Sequence, residues 1–296
     1  MDLKSYLNDQ RAIIDRALER YIESRCSSGY LYDPVQYTIM AGGKRLRPVL
    51  CLAAAKAVGG QIHKAIPAAC AIEMIHTYSL IHDDLPALDN DDLRRGQSTC
   101  HVKFDEASAI LCGDALLNMA FEILSEAGIA ADSDQSKVWL NVIDTIGKAS
   151  GCKGMIEGQA RDLAYEGTKI SQADLQAMHE LKTGALIRAS VRSGALLGGG
   201  SEKQLHHLDQ YANDIGLAFQ VVDDILNITG DPEKMGKAVG TDAERRKNTY
   251  PALLGLEASR QYAASLIDSA LQALAIFDNT VDPLRAIATY IVQRNR

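Results

Sequence analysis

Along almost all of this 296-residue chain, apolar residues return every three or four positions, and no stretch alternates for the length of a strand. That single periodicity restricts the fold to packed helices. Residues 3–25 set Leu3, Leu7, Ile14, Leu18, Tyr21 and Ile22 on one stripe, as a surface helix does. Asp33-Pro34 opens a second helix that stops at Gly42-Gly43, and Pro48 opens a third that Gly59-Gly60 closes. A long apolar helix over 63–84 ends in His82-Asp83-Asp84. Further helices are expected over 105–126, 134–150, 153–165, 172–198 with a break near Gly184, 202–228, 251–276 and 283–293. Ser171 and Asp174 have the spacing of a capping box. Only 5% of residues are aromatic and seven are proline, which suits helices better than a sandwich or barrel. No convincing strand is expected. Helices apolar on several faces need neighbours all round, so the expected architecture is one all-α domain, 1–296, with a central bundle and an outer layer. Gly198-Gly199-Gly200 then reads as a helix connection and not a domain boundary.

The charge balance is acidic, 31 basic against 38 acidic side chains, a net −7. A general nucleic-acid binder needs the opposite excess, so that class is excluded. The start MDLKSYLNDQ is polar and unlike a leader or transit segment, and no run of 18 apolar residues predicts a membrane span. Six cysteines without a CxxC pair lie mostly in apolar helical surroundings, which predicts reduced thiols and a cytoplasmic protein.

The acids are not spread evenly. IHDDLPALDNDDLRRG, residues 81–96, carries Asp83, Asp84, Asp89, Asp91 and Asp92 at the end of a helix that reads as buried. A solvated loop is the bland account of any acidic cluster. Unpaired carboxylates beside an apolar interior are costly, however, and short aspartates without glutamate suit a hard divalent cation such as Mg2+. An EF-hand does not fit, since its alternating ligands and closing glutamate are missing. FQVVDDILN, residues 219–227, repeats the aspartate pair on another helix. Two such pairs read as opposing walls of one metal site.

Cations complement them. GGKRLRP, residues 42–48, places Lys44, Arg45 and Arg47 next to Gly42 and Gly43, where backbone can approach an anion. Arg94-Arg95 follow the first acidic cluster, Lys182-Thr183 interrupt an apolar helix, and Lys237 and Lys247 follow the second pair. No P-loop is present. Metal carboxylates with guanidinium groups suited to phosphate predict a diphosphate substrate, and apolar helix walls predict a greasy remainder.

At this point the chain resembles the short-chain trans-prenyl diphosphate synthases. DDLPALDNDDLRRG is similar to their first aspartate-rich motif in its bacterial form; GGKRLRP, EMIHTYSLIHDD, GMIEGQARDL, KTGALI, FQVVDDIL and YPALLGLEAS are similar to other signature blocks. The resemblance runs from about Asp33 to the final QRNR and implies an isoprenoid-synthase bundle of ten or more helices around a central cavity, assembled as a homodimer. It implies Mg2+ as cofactor, about three ions per site with Mn2+ able to substitute. It implies a prenyltransferase that joins isopentenyl diphosphate to dimethylallyl and then geranyl diphosphate by ionisation, condensation and proton elimination, giving (2E,6E)-farnesyl diphosphate. Residue by residue, it assigns Asp83, Asp89 and Asp223 to metal, with Asp84 beside them, and gives Arg94 and Lys182 a catalytic share. Gly43, Lys44, Arg47, His76 and Arg95 match the isopentenyl diphosphate pocket; Arg94, Lys182, Thr183, Gln220, Lys237 and Lys247 match the allylic one.

His76 lies seven residues before Asp83, so it shares that face two turns earlier, although a lone histidine on an apolar helix is usually a core residue. His82, His101, His179, His206 and His207 keep that ordinary role. Tyr78 and Ser79 lie roughly 6–8 Å along the helix from the acids. By the family's logic a ring there floors the cavity near fifteen carbons; the alternative is that Tyr78 only packs between helices. Two positions depart from the family's pattern. Asn227 stands where aspartate is usual, and Gln97-Ser98 replace a Lys-Pro pair. Rival readings are a geranyl or geranylgeranyl diphosphate synthase, a terpene cyclase, and a catalytically silent helical partner subunit. Lys44, Arg47 and Arg95 count against the cyclase, which needs no second diphosphate pocket; the retained aspartates count against the silent subunit.

Overall fold

The computed structural model describes residues 1–229 and 247–293, and it is built of helices. In chain order these are α1 (Leu3–Cys26), α2 (Tyr32–Met40), α3 (Leu46–Ala57), α4 (Ile62–Asp83), α5 (Cys100–Lys103), α6 (Glu106–Ile129), α7 (Ser133–Ser150), α8 (Met155–Ala164), α9 (Gln172–His179), α10 (Ala185–Leu197) and α11 (Glu202–Thr229). After residue 247 come α12 (Tyr250–Leu254), α13 (Leu256–Ala273) and α14 (Asp282–Gln293).

Local chemistry sets the ends. The Asp2 carboxylate accepts from the amides of Lys4 and Ser5 at 3.0 and 3.3 Å, which caps α1. Ser171 and Asp174 form the expected capping box at α9. The expectation of no strand needs correcting: Leu93–Arg94 pairs antiparallel with Gln97–Ser98 in a minimal hairpin (β1 and β2). Two-residue strands are too short to leave a periodic signature. The segment expected as one helix over 251–276 is broken at Gly255, where φ is +83°. The break near Gly184 is a single π-turn, Glu180–Gly184, through which the helix continues into α10.

α4 is the central element, packed against α3, α6 and α10, and α11 lies between α10 and α13. Most of the interior is a single apolar cluster holding Leu50, Ile72, Met74, Ile75 and Leu116 without exposure. Helices α3 and α10 approach so closely that a Cβ on Gly194 would collide with the Cys51 carbonyl. Tyr211 satisfies its buried hydroxyl by donating to the Leu284 carbonyl at 2.7 Å, tying α11 to α14. None of the six cysteines is in a disulfide, and four are buried. Among the described residues one helix, α6, is long and apolar enough to cross a membrane by length and composition alone, which the count of consecutive apolar residues did not anticipate. Cys112, Leu116, Ala120, Ile123 and Leu124 on that helix are buried inside the bundle.

Candidate active site

The first acidic segment leaves the end of α4 and folds back on itself. The amide of Asp89 donates to the Asp83 carbonyl at 2.8 Å, that of Asn90 to Leu85 at 3.1 Å and that of Asp91 to Asp84 at 3.2 Å. This compact turn brings Asp89 beside Asp83 although six residues separate them. Burial pushes the Asp83 carboxyl up; the Lys182 ammonium pulls it down and neighbouring Asp89 pushes it further up, leaving it above the ordinary range. Gln159 on α8 donates to Asp83 Oδ1 at 2.5 Å.

Asp84 is bound by an arginine. It is 3% exposed, and Arg94 clamps it through Nε at 2.7 and 2.8 Å and Nη2 at 2.5 Å. The hairpin supplies that clamp, because β1 ends in Arg94 and β2 returns the chain. Arg95, the next residue, has φ +54° and turns its guanidinium to donate to the Gly42 carbonyl. A Cβ on Gly43 would collide with that guanidinium, so the glycine gives Arg95 its place.

Arg47, in the first turn of α3, donates from Nη1 to His76 Nε2 on α4 at 3.3 Å. Burial lowers the Arg47 pKa, and the Glu73 and Asp223 carboxylates counter it. Burial and the arginines Arg47, Arg95, Arg94 and Arg45 hold His76 well below its usual value, so its imidazole is neutral and accepts. Gly43, Arg47, His76 and Arg95 are thus brought together, and the field of Asp223 reaches Arg47 from α11. Lys44 Nζ lies 5.9 Å from the centre of the Tyr290 ring. Arg45 belongs to the scaffold. It is 2% exposed, donates to Asp15 at 2.8 Å, to Glu73 at 2.9 Å and to the Ile39 carbonyl at 2.5 Å.

A second set of cations contacts the acids directly. The π-turn presents Lys182 and Thr183. Thr183 Oγ1 donates to Gln220 Oε1 at 3.2 Å, Gln220 Nε2 donates to Asp224 Oδ1 at 3.0 Å, and the Tyr250 amide donates to Asp224 Oδ2 at 3.0 Å. Asp224 is therefore a bracket between α11, the π-turn and α12. Lys182 Nζ lies 2.7 Å from Asp162 Oδ2 and Lys247 Nζ 3.0 Å from the same oxygen, while Lys247 also reaches Asp89 at 3.3 Å. Burial would raise the Asp162 pKa, but the two lysines hold it below the ordinary carboxylate value. Burial works against the Lys247 charge, yet Asp162 and Asp89 hold its pKa above the usual lysine value.

Gln159 and Asp162 received no role from the sequence. They are three apart in GMIEGQARDL, the spacing that sets two side chains on one helix face, and that was the available signal. Lys237 lies outside the described residues. Tyr78 is 6% exposed and packs its ring against the His82 edge with centroids 5.7 Å apart. Its hydroxyl is buried with no hydrogen-bond partner among the described residues. Ser79 turns inward along its own helix and donates to the His76 carbonyl at 2.8 Å. Asn227 is 4% exposed.

Among the described residues no three acidic, histidine or cysteine side chains form a ready cage for a metal. Mg2+ does not need one, since it keeps waters and takes one or two carboxylates together with substrate phosphates. Asp83 and Asp89 offer oxygen donors of that kind, and the Lys247 ammonium already stands as a cation at Asp89. The residues fit a dication that arrives with a diphosphate.

The polyprenyl synthetase family model matches residues 28–281. The chain is 50% identical over 268 residues to the farnesyl diphosphate synthase of Escherichia coli (strain K12), covering 89% of each. It is 44% identical over 295 residues to the geranylgeranyl diphosphate synthase of Cyanophora paradoxa, covering 99% of this chain and 97% of that one. The crystal structure of an FPP/GFPP synthase from Zymomonas mobilis superposes with a TM-score of 0.86 at 40% identity, over 98% of this chain and 99% of that one.

Proposed function

Because the chain belongs to the polyprenyl synthetase family, and so is a prenyltransferase that makes trans-prenyl diphosphates, we propose that it condenses isopentenyl diphosphate with dimethylallyl and then geranyl diphosphate and stops at (2E,6E)-farnesyl diphosphate. The observation that carries this reading is the division of cations into two groups around one set of aspartates. Arg47 and Arg95, with neutral His76 bonded to Arg47, form one group on α3, α4 and the hairpin, where Arg47 feels Asp223; Lys182 and Lys247 form the other, reaching Asp83 and Asp89 from the π-turn and the start of the α12 segment. Two such pockets suit two diphosphates. A terpene cyclase has only one to bind.

In this scheme Asp83, Asp89 and Asp223 hold Mg2+, with Mn2+ as substitute and Asp84 acting through its clamp on Arg94. When bound, the metal neutralises charge growing on the departing diphosphate. Lys182, Lys247, Arg94, the Thr183 hydroxyl and the Gln220 carboxamide orient the allylic diphosphate and stabilise the same charge. Arg47, Arg95, Gly43 and Lys44 hold isopentenyl diphosphate so that its double bond faces the allylic carbon. Neutral His76 places Arg47 and lends a hydrogen bond without adding charge.

Product length rests on Tyr78. A buried ring wedged against His82, with an unpartnered hydroxyl, is a stiff stop one to two turns before Asp83. We also propose a cytoplasmic homodimer; Ile110, Leu111, Ile129 and Leu140, exposed on α6 and α7, are the apolar surface that supports it. The scheme is tested by Asp83→Asn and Asp89→Asn, each expected to lower Mg2+-dependent pyrophosphate release from the two substrates by at least about a hundredfold. Release at the normal rate in either variant would refute the metal assignment.

A further inference from the structure

Four charged groups lie in a row beside the first aspartate motif. Asp162 takes Lys182 at 2.7 Å and Lys247 at 3.0 Å on one oxygen, and Lys247 spans onward to Asp89 at 3.3 Å. All but one of these side chains are nearly out of water: Asp162 and Asp89 are 10% exposed and Lys247 is 12% exposed. A dication approaching Asp89 therefore meets an ammonium already in contact with that carboxylate. Like charges at that separation in a partly desolvated site repel strongly, so one of them leaves. Lysine is a compact charge on a flexible stem and can swing. Asp162 cannot follow it, being fixed on α8 and shared with Lys182.

We propose that Lys247 is a surrogate cation for the metal site, and that Asp162 is the positioning residue that receives Lys247 when metal and diphosphate enter. Resting on the reading of Asp83 and Asp89 as metal carboxylates, this adds a function for Asp162 and an order to binding. Metal alone competes with Lys247 for Asp89. Metal carrying a diphosphate displaces it at little cost, because the ammonium released from Asp89 stays on Asp162 and gains the diphosphate oxygens. Diphosphate and metal thus promote each other's binding, and the coupling is reciprocal.

The test is Mn2+ binding to the full chain, read from the free-ion electron paramagnetic resonance signal with and without inorganic pyrophosphate. Lys247→Met is expected to bind Mn2+ alone about tenfold more tightly than the wild type. With pyrophosphate present, that advantage should vanish or reverse. Asp162→Asn is expected to bind Mn2+ alone more weakly, since Lys247 then loses its contact at Asp162 and stays on Asp89. Lys247→Arg keeps the charge and should match the wild type, which guards against a packing effect of methionine; if Lys247→Met does not fold, Lys247→Gln gives the same reading. Unchanged or weaker Mn2+ binding by the neutral variant overturns the surrogate role, and unchanged or tighter binding by Asp162→Asn overturns the role of Asp162. If the wild type binds no Mn2+ even with pyrophosphate, the metal assignment itself fails, a result distinct from either.

Discussion

Arg45 and Arg47 stand two residues apart in one basic segment; the structure ties Arg45 into the scaffold, while the proposed function gives Arg47 to substrate. Replacing each with methionine separates them. Arg45 is 1% exposed in its side chain and pairs with Glu73, itself 2% exposed, at 2.9 Å, and with Asp15 at 2.8 Å. Removing it strands the Glu73 carboxylate in the interior, which costs about 3–5 kcal/mol. For a chain of this length, with about 2.1 cal/mol/K of unfolding entropy per residue, that lowers the melting temperature by about 5–8 °C. The backbone at 45 is left-handed, φ +48°, but arginine and methionine meet the same strain there, so the difference isolates charge. Arg47→Met removes a cation that burial already disfavours and leaves the melting temperature level or higher. Its cost falls on substrate: a charge-assisted contact is worth about 1.5–3 kcal/mol, so KM for isopentenyl diphosphate rises about tenfold to a hundredfold. Differential scanning calorimetry at matched scan rates, with steady-state kinetics, reads both. If Arg45→Met melts like the wild type and Arg47→Met melts several degrees lower, the division between scaffold and pocket is wrong.

Three further outcomes are expected. Tyr78→Ala should shift products beyond fifteen carbons by chromatography of the dephosphorylated alcohols; an unchanged product means the ring only packs. Asn227→Asp should lower the Mg2+ concentration needed for half-maximal rate by about threefold or more, since a carboxylate adds charge that a carboxamide lacks; equal Mg2+ dependence and turnover would count against weaker metal binding at that position. His179 is pushed down to about 3 by burial, so it is neutral in the fold while the unfolded chain titrates near 6.5. The unfolded state then binds the extra proton between those values, so the stability is complete above pH 6.5 and is lost on acidification at about 1.4 kcal/mol per pH unit. Melting of the wild type should fall relative to His179→Leu between pH 7.5 and 5.5, and parallel curves would exclude that origin.

Much of the fold was legible because helix periodicity, Asp33-Pro34 and the paired glycines are local signals. The two-residue hairpin was not, since it is held by the register of Leu93 with Ser98 and of Arg94 with Gln97, not by any pattern of side chains. Gly255 was readable as a residue but not as a break, because apolar periodicity continues across it. In the site, composition marked the basic segments without ranking their members. Arg45 is ion-paired to Asp15 and Glu73 while Arg47 bonds His76 and feels Glu73 and Asp223 at a distance, and all of these partners are remote in sequence. Asp162 was invisible for the same reason: its importance comes from two lysines, 20 and 85 positions later, that converge on one oxygen.

The most direct measurement is the product formed from isopentenyl and dimethylallyl diphosphates, resolved by mass spectrometry with Mg2+ and with the metal chelated. The proposed arrangement, two diphosphate pockets around Asp83, Asp89 and Asp223 with the Tyr78 ring as stop, predicts Mg2+-dependent accumulation of the fifteen-carbon (2E,6E)-farnesyl diphosphate. A twenty-carbon main product would contradict the role given to Tyr78, and no condensation with Mg2+ present would contradict the site itself.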